Sequence, residues 1–283
     1  MPDAITQQQA TAVTLVVRPE GSGTPSRRRE LARRVIEVFT SELANSRLLC
    51  FLDDQDPPII RFDRGPANRG FYAPIHDGTP LDWVPDYASG HIYVDDGVSV
   101  FYPRVVDGLI YLHGSTCDDE VGLVMTLAHE LQHAVQHAKS WKIWALNSLV
   151  NELDRSIIRE VKLTWADVPI EVEARIISKR IAEQIFGHKR VTAYIDGRIV
   201  ARVTEADVTD WIYVRSLDST ISVDLDSGSR LLFTRLRDWR SELQAALQRA
   251  KAASQSYNDV SLDSFFDATE RRTALAAIPQ TID

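Results

Sequence analysis

The pentapeptide His129-Glu130-Leu131-Gln132-His133 constrains this chain more than any other feature. Two histidines four residues apart share one face of a helix and stand about 6 Å apart along its axis. Imidazoles at that spacing grip one Zn²⁺, and Glu130 projects from the same turn, placed to take a proton from a metal-activated water. The segment does this only as a helix. Such a helix must also give its polar side chains partners, because unpaired polar groups are costly to bury in an apolar run. A metal ion is one such partner.

The flanking residues predict that helix. Val121, Val124, Met125, Leu127, Ala128, Leu131, Ala134 and Val135 repeat at three and four residues rather than two. No Pro or Gly interrupts 123–140. Thr116 is the expected cap, and Asp118, Asp119 and Glu120 suit the positive end of the helix dipole, as Lys139 suits the far end. The predicted span is about 118–139.

Three protein ligands plus a water make a catalytic zinc site. A third histidine six residues after His133 is excluded, since position 139 is Lys and position 136 is Gln. His137 lies about 12 Å along the axis from His129, too far for one ion to meet all three rings on a straight helix. It reads as a structural or surface histidine. A Glu from a later helix remains. Ile170, Ala174, Ile176, Ile177, Ile181 and Ile185 predict one, with Asp167 as cap, Pro169 in the first turn and Gly187 as the stop. Glu171 has the small Ala174 on its own face, which permits close approach to the first helix. Glu173, about 200° away at ~100° per residue, is the alternative ligand.

HELQH followed by PIEVEA resembles the gluzincin branch of zincin metallopeptidases, in which H-E-x-x-H is completed by a Glu in an E-x-x-A or E-x-x-S context. The resemblance covers roughly residues 90–190. It implies that His129, His133 and Glu171 hold one zinc per chain, with Glu130 as general base and acid. It also implies a zincin-like α+β fold, with a mixed sheet, the H-E-x-x-H helix and a following Glu-bearing helix. The chain departs from the family at Arg175, where an acid often follows the small residue. The usual hydrogen bond from that acid to a ligand histidine must then come from elsewhere, with Glu173 or another acid as the substitute.

The whole chain has 283 residues, 44% hydrophobic and 25% charged, enough for one large domain or two joined ones. Its net charge of −8 argues against broad nucleic-acid binding. Arg27, Arg28, Arg29, Arg33 and Arg34 form the strongest basic cluster, which reads as a solvated helix face beside Glu30 and Glu37. No run of ~18 apolar residues predicts a membrane span. There is no basic leader to mark a signal peptide, so the expected location is cytoplasmic. Cys50 and Cys117 have no metal-site spacing.

Four regions are expected. Residues 1–10 form a disordered tail and 11–90 an N-terminal α/β region. Residues 91–190 form the metallopeptidase core, and 191–283 a C-terminal hairpin and helical region. The first α/β region contains strands near 12–18, 48–53 and 58–63, a helix to about Ala44, and a long loop over 64–90 bearing Phe71, Tyr72, Trp83 and Tyr87. Strands at 91–94, 98–102 and 108–113 precede the motif, and either of the last two is a candidate substrate-binding strand. After the motif, a helical pattern continues to about 160. Residues 191–203 alternate around Asp196-Gly197 and predict a hairpin. Strands near 211–215 and 220–225 follow, then a helix over 229–252 and a weaker one over 261–276.

The expected function is a zinc-dependent metallopeptidase acting on a protein or peptide. The alternative is a non-catalytic zinc-stabilised binding module. Glu130 favours chemistry, because a structural site needs no base. His113, His188 and Tyr194 carry no assigned role.

Overall fold

The computed structural model describes residues 15–17, scattered positions between 27 and 41, 59–63, 70–74, 98–100, 108–113, 119–201, 205–253, 255–263 and 265–266. Eight helices dominate it: α1 (Glu120–Lys139), α2 (Trp141–Ser148), α3 (Arg155–Glu160), α4 (Pro169–Phe186), α5 (His188–Ala201), α6 (Glu205–Ser216), α7 (Leu225–Arg235) and α8 (Arg240–Ala253). Before them come five short strands: β1 (Leu15–Val17), β2 (Ile59–Asp63), β3 (Gly70–Pro74), β4 (Val98–Val100) and β5 (Gly108–His113). β1 pairs with β4, and the other three run in the order β2-β5-β3.

The α+β, zincin-like expectation is overturned. Among the described residues no strand follows residue 113, and the body that holds the site is helical throughout. The five strands are short ladders of three to six residues and do not build a sheet-centred core. β5 is paired on both sides, so its backbone is already used and it is not a strand open to substrate. Gly70–Pro74, expected within a loop, is strand β3. The tail 1–10 and the strands expected at 48–53 and 91–94 lie outside the described residues, as do Trp83 and Tyr87.

Helix α1 starts where its first free N–H groups find an acceptor. That acceptor is Asp119, not Thr116: its carboxylate takes Val121 N–H at 2.8 Å and Gly122 N–H at 3.0 Å. Val121, Leu123, Val124, Leu127 and Ala128 are buried along one side. Arg27 of the basic cluster is not merely solvated, for it pairs with Glu120 at 2.7 Å, and Arg190 of α5 takes the other oxygen at 2.8 Å.

Helix α4 starts at Pro169 after Val168, and not under an Asp167 cap. Asp167 instead closes a capping box with Thr164 around the preceding 3-10 turn and pairs with Arg235. Gly187 stops α4 with φ at +83°, a conformation that favours glycine, while its N–H reaches Glu183 O at 2.8 Å.

The hairpin over 191–203 is overturned as well, since α5 runs straight through Asp196-Gly197. Val191 and Ile195, four apart, are both fully buried, so the helical period wins over the alternating one. Asp196 is used in an ion pair with Arg215 of α6 at 2.9 Å rather than in a turn. The strand expected at 211–215 is the end of α6. Its Val214 and Arg215 carbonyls, with that of Leu217, accept from the buried Lys179 ammonium at 3.3, 3.2 and 2.6 Å. The helix expected over 229–252 is two, α7 and α8, joined by a 3-10 turn at Arg237–Trp239. Of the span 261–276, residues 263 and 265–266 are helical and the part beyond 266 lies outside the described residues.

One apolar cluster joins α2, α7, α8 and residues 260–266 through Leu146, Leu149, Phe233, Leu243, Leu247 and Phe266. Asn147, fully buried in α2, donates to Ser229 Oγ at 2.7 Å and to Ile143 O at 2.8 Å, fixing α7 against α2. This cluster reaches α4 at Ile170, next to Glu171.

Candidate metal centre

Helices α1 and α4 make the most extensive helix–helix contact among the described residues. Ala174 is fully buried in it, and the missing bulk at that position lets the backbones approach. The approach brings His129 and His133 of α1 against Glu171 in the first turn of α4. The two Nε2 atoms stand 3.0 Å apart. Glu171 Oε2 lies 3.4 Å from His129 Nε2, and its Oε1 lies 3.4 Å from His133 Nε2. The imidazoles meet nearly edge to face, at 88°.

These distances fit a zinc ion. Three donors about 2.0–2.1 Å from a tetrahedral centre stand about 3.3 Å from one another. The three side chains are a His, a His and a carboxylate, whose ligand atoms all lie within 4.8 Å of one another, and the donor set is one that zinc takes.

Without a metal, His133 and Glu171 shift each other as an ion pair does. Burial works against a charged His133, yet the Glu171 carboxylate beside it, with a smaller contribution from Glu130, raises its pKa to about 9. Burial likewise opposes ionised Glu171, but the two histidines hold its carboxyl well below the usual range. Glu130 itself is buried on α1, close enough to act on His133 through its charge.

A second set of contacts surrounds these three side chains. His133 Nδ1 meets Gln136 Oε1 at 2.8 Å. The Gln136 amide nitrogen donates to Ile170 O at 2.8 Å and to Glu173 Oε2 at 2.9 Å. Gln132 donates to the same Glu173 oxygen at 2.9 Å. On the other side of Glu171, Arg175 Nη1 approaches Oε2 at 3.6 Å, while Nη2 pairs with Asp210 of α6 at 2.8 Å. Arg175 Nη1 is buried without a hydrogen-bond partner among the described residues.

Of the residues singled out by sequence, His129, His133 and Glu171 come together, with Glu130 on the same helix. Glu173 is not part of that cluster. Nor does it point away from α1, as the helical wheel implied: it reaches the α1 side chains Gln132 and Gln136. Long side chains on both flanks of a helix reach a neighbour that packs this closely. His137 sits in an aromatic cluster, with ring centroids 4.8 Å from Trp141 and 5.1 Å from Trp144. His188 pairs with Glu183 at 2.8 Å, and Tyr194 meets Trp211 edge-on. His113 ends β5.

Gln132, Gln136 and Asp210 are neighbours of the site that sequence reasoning passed over. The only signal for the first two was position, since Gln136 lies three residues beyond His133 on the ligand face. Nothing local marks Asp210.

Comparison with protein families, with curated proteins and with solved structures finds no match to this chain.

Proposed function

We propose that this protein is a zinc-dependent metallopeptidase of gluzincin type in its chemistry, with His129, His133 and Glu171 as ligands and Glu130 as general base. The observation that carries the reading is the His–His–Glu cluster, with 3.0 Å between the two Nε2 atoms and 3.4 Å from each to one oxygen of the Glu171 carboxylate, formed by two separate helices and accompanied by a buried Glu on α1. Three protein ligands are the number catalytic zinc sites use, whereas structural zinc sites use four. Zinc held by His129, His133 and Glu171 would supply Lewis acidity and lower the pKa of a water. The residues of the chain do the rest. Glu130 accepts the proton of the attacking water and returns it to the leaving amine, and its burial keeps that exchange out of bulk solvent.

A protein or peptide is the proposed substrate. A cytoplasmic setting belongs to the same proposal; what the described residues provide is that no helix among them is long and apolar enough to cross a membrane.

The test is zinc content together with hydrolysis of a fluorogenic peptide library, with and without chelator. Bound zinc and chelator-sensitive cleavage are expected. Bound zinc with no cleavage of any peptide moves the reading to a non-catalytic zinc-stabilised module, in which the same triangle fastens α1 to α4. No zinc in metal-supplied protein removes both.

A further inference from the structure

Where an acid is expected after Ala174 the chain has Arg175. We propose that Gln136 and Glu173 are a pair of positioning residues that act in series on His133. The inference rests on the metal reading above and names what orients its most buried ligand.

The argument begins with the Gln136 amide. Its oxygen and nitrogen differ in role, and the neighbours decide which is which. The nitrogen faces two groups that only accept, the Ile170 carbonyl at 2.8 Å and the Glu173 carboxylate at 2.9 Å. Both of its hydrogens are therefore used, and the flipped amide would set oxygen against oxygen twice. The oxygen is left facing His133 Nδ1 at 2.8 Å. An amide oxygen accepts only, so Nδ1 must carry a hydrogen. In the neutral ring Nε2 then has the lone pair, and Nε2 is the atom aimed at Glu171 and His129.

Glu173 makes this orientation firm. It collects Gln132 and Gln136, one turn apart on α1, on a single oxygen, so this stretch of α1 is anchored to the N-terminal part of α4. Gln136 is 2% exposed and His133 8%, so the bond between them is shielded from solvent. A carboxylate in the usual place acts on the histidine directly and adds negative charge beside it. Here the charge is displaced one residue outward, and the histidine receives a neutral acceptor.

The test compares Gln136→Leu, Glu173→Ala and the double variant with the wild type. One readout is zinc affinity, measured by competition with a chromophoric chelator. The other is the hydrogen-bonded Nδ1 proton of His133, followed in ¹H–¹⁵N spectra of zinc-free protein. Gln136→Leu should weaken zinc by about 10–100-fold, in line with losses of such outer partners. Glu173→Ala should weaken it less, since Ile170 still holds the amide. Because the two act in series, the double variant should lose no more than Gln136→Leu alone, and the protected Nδ1 signal should vanish in Gln136→Leu and broaden in Glu173→Ala. Affinity within threefold of wild type in both single variants, or losses that add in full, would overturn the proposal. If Gln136→Leu does not fold, the Glu173→Ala arm decides. If the wild type binds no zinc, the metal reading fails, and the Nδ1 signal still settles whether Gln136 holds the ring.

Discussion

The His137 ring meets Trp141 nearly edge-on, at 79° and 4.8 Å between centroids, one turn beyond His133 on the same helix. It thus lies on the continuation of the ligand spacing but belongs to an aromatic cluster with Trp141, Trp144 and Tyr257. Replacing His137 with Ala should leave zinc stoichiometry at one per chain and lower thermal stability, by about 1–3 kcal/mol for lost packing. His133→Ala and Glu171→Ala should abolish zinc binding. Elemental analysis and melting curves on the three variants separate the roles, and a zinc loss in His137→Ala equal to that in His133→Ala would contradict this assignment.

Glu130→Gln should retain zinc and lose turnover by about 10²–10⁴-fold, because the amide keeps the shape of the side chain but cannot accept the proton of the attacking water. The variant should also hold substrate without cutting it. Wild-type rates in Glu130→Gln, on a substrate cut in a chelator-sensitive way, would remove Glu130 as the base.

Stability of the zinc-free protein should depend on pH through the His133–Glu171 pair. His133 rises from an ordinary value of 6.5 to about 9 in the fold, so its contribution is fully present below pH 6.5 and is lost as pH rises through about 9. Glu171 is shifted down, so its contribution is present above pH 4.5 and is lost as pH falls toward its depressed value. The urea midpoint of chelator-treated protein should therefore decline between pH 6.5 and 9, and this decline should be absent in Glu171→Gln. Zinc must displace the same His133 proton, so zinc affinity should rise over that window. A flat zinc affinity between pH 6.5 and 9 would count against His133 as a ligand.

Gly197→Ala tests the replacement of the expected hairpin by helix α5. A Cβ built on Gly197 meets nothing within 4 Å. In a helix interior the substitution should stabilise by about 0.5–1 kcal/mol. In an Asp-Gly hairpin turn the same alanine would be forced into a left-handed conformation and destabilise. A lowered melting temperature for Gly197→Ala would reinstate the turn.

The sequence by itself determined the two helices that carry His129, His133 and Glu171 to within a few residues. A three-four apolar repeat free of Gly and Pro specifies α1, and a first-turn Pro169 with a terminal Gly187 specifies α4, because these signals act within one or two turns of backbone. The pairing of His129 with His133 was legible for the same reason. The tertiary structure decided the rest. Val191, Ala193 and Ile195 satisfy a strand alternation, and Val191 with Ile195 also satisfies a helical stripe; burial of both made the stripe prevail. Thr116 was the expected cap and Asp119 only an acid suited to the dipole, yet the Asp119 carboxylate takes the free N–H groups. Which of Glu171 and Glu173 meets the two histidines depended on how α4 crosses α1, and the same crossing brought Glu173 to Gln132 and Gln136. Contacts between residues some forty positions apart depend on the crossing of two helices, and no window of local sequence encodes that.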